Sequence, residues 1–158
     1  MPMNPLRPVT IYGRMIKFSH SVFALPFALS GAALAATVSG ITVSQIAWII
    51  VAMVSARSAA MGFNRIADRY IDAANPRTSK RELPTGLVSV RAAVTFVLVS
   101  AAVLVYAAAQ LNTLCLYLSP VALGVVLFYS LTKRFTWLSH VMLGSSIGLA
   151  PLGAWIAV

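Results

Sequence analysis

Long stretches without a charged side chain constrain the fold of this chain more than any other feature. No Asp, Glu, Lys or Arg occurs in residues 18–55, 92–132 or 135–158. About 20 apolar residues are enough for one helix to cross the hydrocarbon core of a bilayer, so each run is long enough for one or two crossings. Only 9% of the chain is charged, whereas soluble domains carry about a quarter. The sequence excludes a water-soluble globular fold and predicts an all-α, polytopic transmembrane helical bundle.

Turn-forming residues divide these runs into five predicted spans. Ser39-Gly40 interrupts the first run, and Gln110-Leu111-Asn112 interrupts the second. The predicted helices cover 18–38, 41–63, 91–109, 112–132 and about 136–158. They form a single transmembrane domain over 1–158, and residues 64–90 form its one long polar loop.

The basic residues indicate the orientation of the spans. They precede the first span and lie between the second and third and between the fourth and fifth, whereas the connections near 39–41 and 110–112 carry no charge. Because Lys and Arg concentrate in cytoplasmic loops, we expect a cytoplasmic N-terminus and an inner-membrane protein. This topology explains the net charge of +9. The clusters form no basic stripe or aromatic platform that would indicate nucleic-acid binding.

Three polar residues at a spacing of four begin the polar loop. Asn64, Asp68 and Asp72 share one face if the segment is helical. Oxygen ligands on one face suit Mg²⁺, which commonly bridges one or two carboxylates to substrate phosphates. A solvated helix end in which the two acids pair with Arg65 and Arg69 explains the spacing equally well.

Basic residues surround this acidic face. Arg57 lies two turns before Asn64, inside the second predicted span, where a charge is costly unless it faces a cavity or binds an anion. The loop adds Arg77, Lys80 and Arg81. Acids that bind a cation, ringed by basic side chains, are typical of a site for a diphosphate held by a metal ion and charge-assisted hydrogen bonds.

These residues resemble the first aspartate motif of the UbiA superfamily of intramembrane aromatic prenyltransferases. The similar segments are Asn64-xxx-Asp68-xxx-Asp72, Arg77-Thr78, Arg81-Glu82-Leu83-Pro84-Thr85-Gly86 and Tyr129-xxx-Lys133-Arg134. The opening segment, 16–27, is similar to 4-hydroxybenzoate polyprenyltransferases, including relatives in menaquinone pathways. The resemblance covers essentially the whole chain.

The resemblance implies transfer of a polyprenyl group from a polyprenyl diphosphate to an aromatic acceptor such as 4-hydroxybenzoate, in ubiquinone or menaquinone biosynthesis. It implies Mg²⁺ as the cofactor, held by Asn64, Asp68 and Asp72. The implied catalytic residues are Asp68, Asp72, Arg57, Lys133 and Tyr129. The implied substrate-binding residues are Arg77, Arg81, Lys80, Arg134 and His20, and either Arg57 or Arg134 could hold the carboxylate of the acceptor.

The family has roughly nine transmembrane helices and a second aspartate-rich motif, whereas no Asp or Glu follows Glu82 here. We therefore expect that the chain is a truncated, N-terminal half of an enzyme and is inactive by itself. Two alternatives stay open. One is a small, non-enzymatic membrane transport or channel protein, since charged residues in spans also mark ion pathways. The other is a prenyltransferase with a different acceptor.

Overall fold

The computed structural model describes residues 7–132, 137 and 139–158, and the regular secondary structure in these residues is helical. The helices are α1 (Arg7–Met15), α2 (Phe18–Ser39), α3 (Val43–Ala74), α4 (Val90–Leu111), α5 (Thr113–Thr132) and α6 (Ser139–Ile156). Helices α2 to α6 correspond to the five predicted spans. The prediction of an all-α, polytopic bundle is confirmed.

Helices α3, α4 and α5 are long and apolar enough to cross a membrane by length and composition. Two further apolar helical stretches, Ala24–Ser39 in α2 and His140–Ile156 in α6, are shorter. Helix α2 as a whole has 22 residues, which corresponds to about 33 Å at 1.5 Å per residue.

The predicted boundary of the second span is wrong, because α3 continues well beyond residue 63 to Ala74. The aspartate motif therefore lies on a helix rather than in a loop, and the irregular connection is confined to 75–89. The physical reason is that the first strong helix breaker is Pro76. A proline disfavours the helical conformation of the residue before it, and Asn75 is extended, with φ −103° and ψ 120°.

Helix α1 was not predicted from the sequence. It has only nine residues, and so short a helix depends on tertiary contacts for its stability. Those contacts are apolar: Met15 and Ile16 are buried in a cluster with Val88 and Ala93. The ring of Tyr12 stacks on Phe96 of α4 with 5.2 Å between ring centroids.

Two pairs of helices pack closely, α3 on α4 and α2 on α6, and α5 contacts α3, α4 and α6. The α2–α6 pair depends on a glycine. A Cβ atom at Gly31 would collide with the backbone of Pro151 in α6. The backbone of α6 therefore approaches α2 at a distance that no larger residue allows.

Neutral hydrogen bonds join the helices at the end of the bundle where α3 and α5 begin, which we call the neutral end. Thr42 and Gln45 form a capping box at the start of α3. The Gln45 side-chain amide donates to the carbonyl of Ala157 at 3.2 Å, and that of Asn112 donates to Ile156 at 2.8 Å. The two connections predicted to be uncharged both lie at this end. The charged end, where α3 finishes, carries the loop 75–89.

Gly31→Ala should destabilise the bundle by about 1–3 kcal/mol, because its methyl group meets backbone rather than a side chain that could rotate. Thermal unfolding in detergent micelles measures the effect. Gly148→Ala in α6 is the matched control, since nothing lies within 4 Å of its Cβ position and a helical alanine is favoured over glycine. An unchanged midpoint for Gly31→Ala would contradict the close α2–α6 contact.

Candidate functional site

A cavity of about 770 Å³ lies between helices α2, α3, α4, α5 and α6. Its walls are mainly apolar, with residues such as Ala28, Ile49 and Leu104. The charged residues that line it belong to α3, to the α1–α2 junction or to the loop after α3: Lys17, Arg57, Arg65, Asp68 and Arg81. The arrangement places a small group of charges at one end of an otherwise apolar chamber.

Asn64 and Asp68 bring oxygen ligands to this cavity from the same face of α3. The Asp68 side chain is buried. The amide nitrogen of Asn64 lies 3.5 Å from the hydroxyl of Ser130 on α5, to which it donates. Because Ser130 is also buried, this contact fixes the position of the Asn64 amide between the two helices.

Asp72 is engaged by the loop that follows α3. Nη1 of Arg81 lies 2.7 Å from each of its carboxylate oxygens, and the hydroxyl of Thr78 donates to its backbone carbonyl at 3.0 Å. The carboxylate is almost fully buried, whereas the Arg81 side chain is partly exposed. Arg81 thus links the acidic face to the cavity that it also lines, whereas Asp72 is not among the lining residues.

In the alternative in which the two acids pair with Arg65 and Arg69, the part that concerns Arg69 is wrong. Arg69 donates to the carbonyl of Ile66 and to the hydroxyl of Tyr70, and its guanidinium lies 4.2 Å from the centre of the Tyr70 ring. The ring holds the guanidinium away from the acids.

Arg65, which the sequence offered only as a partner for the acids, also binds α1. It is 5% exposed, and its Nε donates to the backbone carbonyl of Met15, the last residue of α1, at 3.0 Å. Its charge is repelled by that of Arg81 and attracted by those of Asp72, Glu82 and Asp68. It therefore balances the acidic face and ties α1 to α3.

Arg57 lines the cavity two turns below Asn64. Its Nε atom is buried and has no hydrogen-bond partner among the described residues. A buried guanidinium nitrogen without a partner is costly, so this position favours an anionic group in the cavity.

The other predicted site residues are only partly brought together. Tyr129 lines the cavity, whereas Arg77 and Lys80 are exposed on the loop and do not line it. His20 belongs to α2, but its side chain lies outside the described part of the structure, as do Lys133 and Arg134.

The donor set fits Mg²⁺ in part. Asn64 and Asp68 supply the hard oxygen ligands that this ion prefers, and a bound diphosphate and water would complete its octahedron. Asp72 could join only by sharing its carboxylate with Arg81. The described residues contain no group of three His, Cys, Asp or Glu side chains placed to hold a metal ion. These side chains alone therefore do not form a complete metal site.

The fold and the cavity define an integral membrane protein of the helical-bundle class with a charged site at one end of an apolar chamber. Comparison with known proteins gives the family. The model of the UbiA prenyltransferase family matches residues 24–158, and the chain belongs to that family. It is thus a member of a transferase family rather than of a class of channels.

Two curated relatives illustrate the similarity. A 4-hydroxybenzoate octaprenyltransferase of Vibrio atlanticus is 38% identical over 108 residues, which are 68% of this chain and 38% of that protein. Its namesake in Haemophilus ducreyi is 37% identical over 127 residues, which are 80% of this chain and 46% of that protein. The chain spans less than half the length of these relatives.

Solved structures share the fold. A UbiA homolog from Aeropyrum pernix K1, in its apo form, has a TM-score of 0.83 and 40% identity over 88% of this chain and 50% of that chain. A structure of digeranylgeranylglyceryl phosphate synthase has a TM-score of 0.84 at 17% identity, over 94% and 53% of the two chains. The second likeness concerns the fold alone.

Asp72→Asn should loosen the loop 75–89, because the variant removes the charge that Arg81 binds at 2.7 Å. A hydrogen bond between charged groups contributes about 1.5–3 kcal/mol, so we expect several-fold faster trypsin cleavage after Arg77 and Lys80. Ser79→Ala is the control, since that hydroxyl donates only to the nearby carbonyl of Pro76. Equal cleavage rates in the two variants would show that the ion pair does not hold the loop.

Proposed function

We propose that this domain binds the diphosphate of a polyprenyl diphosphate through Mg²⁺ and serves in prenyl transfer to an aromatic acceptor such as 4-hydroxybenzoate, in the biosynthesis of a quinone. One observation carries the proposal. Asn64 and Asp68 line the same apolar cavity as the arginines Arg57 and Arg81. A soluble anion would need only the charges, whereas a prenyl diphosphate also needs the apolar chamber.

The polar residues of the cavity would act on the diphosphate end of the substrate. Asn64 and Asp68 would hold Mg²⁺, which when bound neutralises negative charge on the diphosphate as it leaves. Arg81 and Tyr129 line the cavity, and their guanidinium and hydroxyl groups would donate to phosphate oxygens. Donors fixed in advance at a developing charge stabilise the transition state more than mobile water does.

The apolar walls have a second role. Breaking the allylic carbon–oxygen bond leaves a carbocation, and water would trap it as an alcohol. Side chains such as Ala28, Ile49 and Leu104 line the chamber and would exclude water from the reacting carbon. The aromatic ring of the acceptor would then supply the electron pair for the new carbon–carbon bond and lose its ring proton to the released diphosphate.

We assign the carboxylate of the acceptor to Arg57. The buried Nε of this residue has no partner among the described residues, and its position two turns below Asn64 separates it by roughly 10 Å along the helix axis. That separation leaves room for an aromatic ring between the carboxylate and the diphosphate.

The orientation is also a proposal. Apart from Arg57, which lies within α3 inside the bundle, the basic residues of the described chain cluster at the charged end, whereas the turns 40–42 and 112 at the neutral end carry none. Under the positive-inside rule this distribution supports a cytoplasmic charged end in the inner membrane, where a water-soluble aromatic acid has access to the cavity.

The binding half of the proposal predicts Mg²⁺-dependent affinity of residues 1–158 for farnesyl diphosphate. Asp68→Asn should weaken binding at least tenfold, equivalent to about 1.4 kcal/mol, because a carboxylate ligand becomes a neutral amide. Asn64→Ala should be milder, since water can replace a neutral ligand. Calorimetric titration in micelles, with and without EDTA, measures the affinity.

Glu82→Gln is the matched control, since it removes the same charge from an acid that does not line the cavity. Farnesol, which lacks the diphosphate, should bind without any Mg²⁺ dependence. Equal losses in Asp68→Asn and Glu82→Gln would contradict a metal site at Asp68. Product with 4-hydroxybenzoate should be at most slight from these residues alone, because the sequence contains no second acidic cluster after Glu82 to neutralise the leaving group.

The orientation predicts which positions a membrane-impermeant maleimide reaches. In a Cys115→Ala background, the thiol of Gln110→Cys should react in intact cells, and that of Lys80→Cys only after permeabilisation. Both positions are exposed in the structure, so accessibility to the reagent reports the side of the membrane. Labelling of Lys80→Cys in intact cells would reverse the proposed orientation.

A further inference from the structure

A second basic groove lies beside the cavity, where α1 meets α2, and Lys17 lines both. It is a shallow, open depression of about 450 Å³ lined by Thr10, Gly13, Arg14, Lys17, Phe18 and Ser19. Arg14 and Lys17 are both exposed, and the acidic residues of the chain are not among the lining residues. Two cations without an acid in the lining give the groove a positive potential, which favours an anionic occupant.

We propose that this groove binds the headgroup of an anionic phospholipid. The groove lies at the first turn of α2, where a helix of the membrane bundle begins at the charged end. In the proposed orientation, this end of the bundle meets the lipid headgroups. Basic pockets between helices at the cytoplasmic face are suited to such headgroups.

Exposed apolar residues of the two helices that form the groove favour a lipid over a soluble anion. Val9 on α1 and Phe18 and Val22 on α2 are each more than half exposed, at 69%, 51% and 53%. A free phosphate gains nothing from these side chains. A phospholipid would place its phosphate near Arg14 and Lys17 and cover the apolar side chains with its glycerol and acyl chains, which removes their surface from water.

The groove is held in shape from the protein side. Lys17 has a left-handed backbone conformation, with φ 51°, which a residue other than glycine adopts only when its surroundings impose it. Its amide donates to the carbonyl of Arg14 at 3.0 Å, and Arg65 binds the neighbouring carbonyl of Met15. The turn that brings the two cations together is therefore fixed before any ligand binds.

Native mass spectrometry of the purified full chain tests the proposal, with phosphatidylglycerol and phosphatidylcholine as the probes. We expect preferential retention of phosphatidylglycerol. Arg14→Gln should weaken its binding about fivefold, the effect of one basic residue at a membrane surface, and Arg14→Lys should retain most of it. Adding Lys17→Gln to Arg14→Gln should weaken binding further by a similar factor.

Arg91→Gln is the matched control, because Arg91 is also exposed at the charged end but does not line the groove. The affinity of the Arg91→Gln variant for phosphatidylglycerol should change less than twofold. An equal loss in Arg14→Gln and Arg91→Gln, or equal retention of the two lipids, would overturn the proposal. Displacement of the lipid by inorganic phosphate would assign the groove to a free anion instead. Asp68→Asn should leave lipid binding intact. Because Lys17 lines both sites whereas Arg14 lines only the groove, the Arg14 variants distinguish lipid binding from prenyl diphosphate binding.

Discussion

Because the backbone of a helix in a bilayer must satisfy its own hydrogen bonds, α3 stays a regular α-helix from the apolar interior to the charged end. Its 32 residues continue without a break from Val43 to Ala74. Arg57, Asn64 and Asp68 therefore line one cavity without any loop to position them. A break at residue 63 would have separated the basic residue in the membrane from the acids above it.

The acids on this helix require compensation, and the structure provides it with the buried Arg65 and the partly exposed Arg81. Arg81 engages both oxygens of Asp72, and Arg65 lies buried among the acids while its Nε binds α1. Breaking a buried charge pair by removing one partner is far more costly than breaking an exposed one. The same contacts that neutralise the acids also seat α1 and the loop 75–89 on the bundle.

Hydropathy and turn residues predicted the five long helices, because a bilayer imposes a length and a composition that are visible locally. The spacing of Asn64, Asp68 and Asp72 predicted that they share one face, because residues four apart lie on the same side of an α-helix. Helix α1, the Arg65 contact with Met15 and the Asp72–Arg81 pair could not be predicted. The Arg65 contact joins residues 50 positions apart, and the ion pair depends on how the loop folds back. The packing of the folded chain determines such contacts, and no local sequence pattern reveals them.

The side-chain amides at the neutral end bear on how the protein fits bilayers of different thickness. Helix α6 has 18 residues, about 27 Å, slightly less than the roughly 30 Å of a typical hydrocarbon core. Its last carbonyls would normally have to reach headgroup water, but Asn112 and Gln45 bind those of Ile156 and Ala157. This end of α6 can therefore lie below the lipid headgroups without thinning the membrane around it.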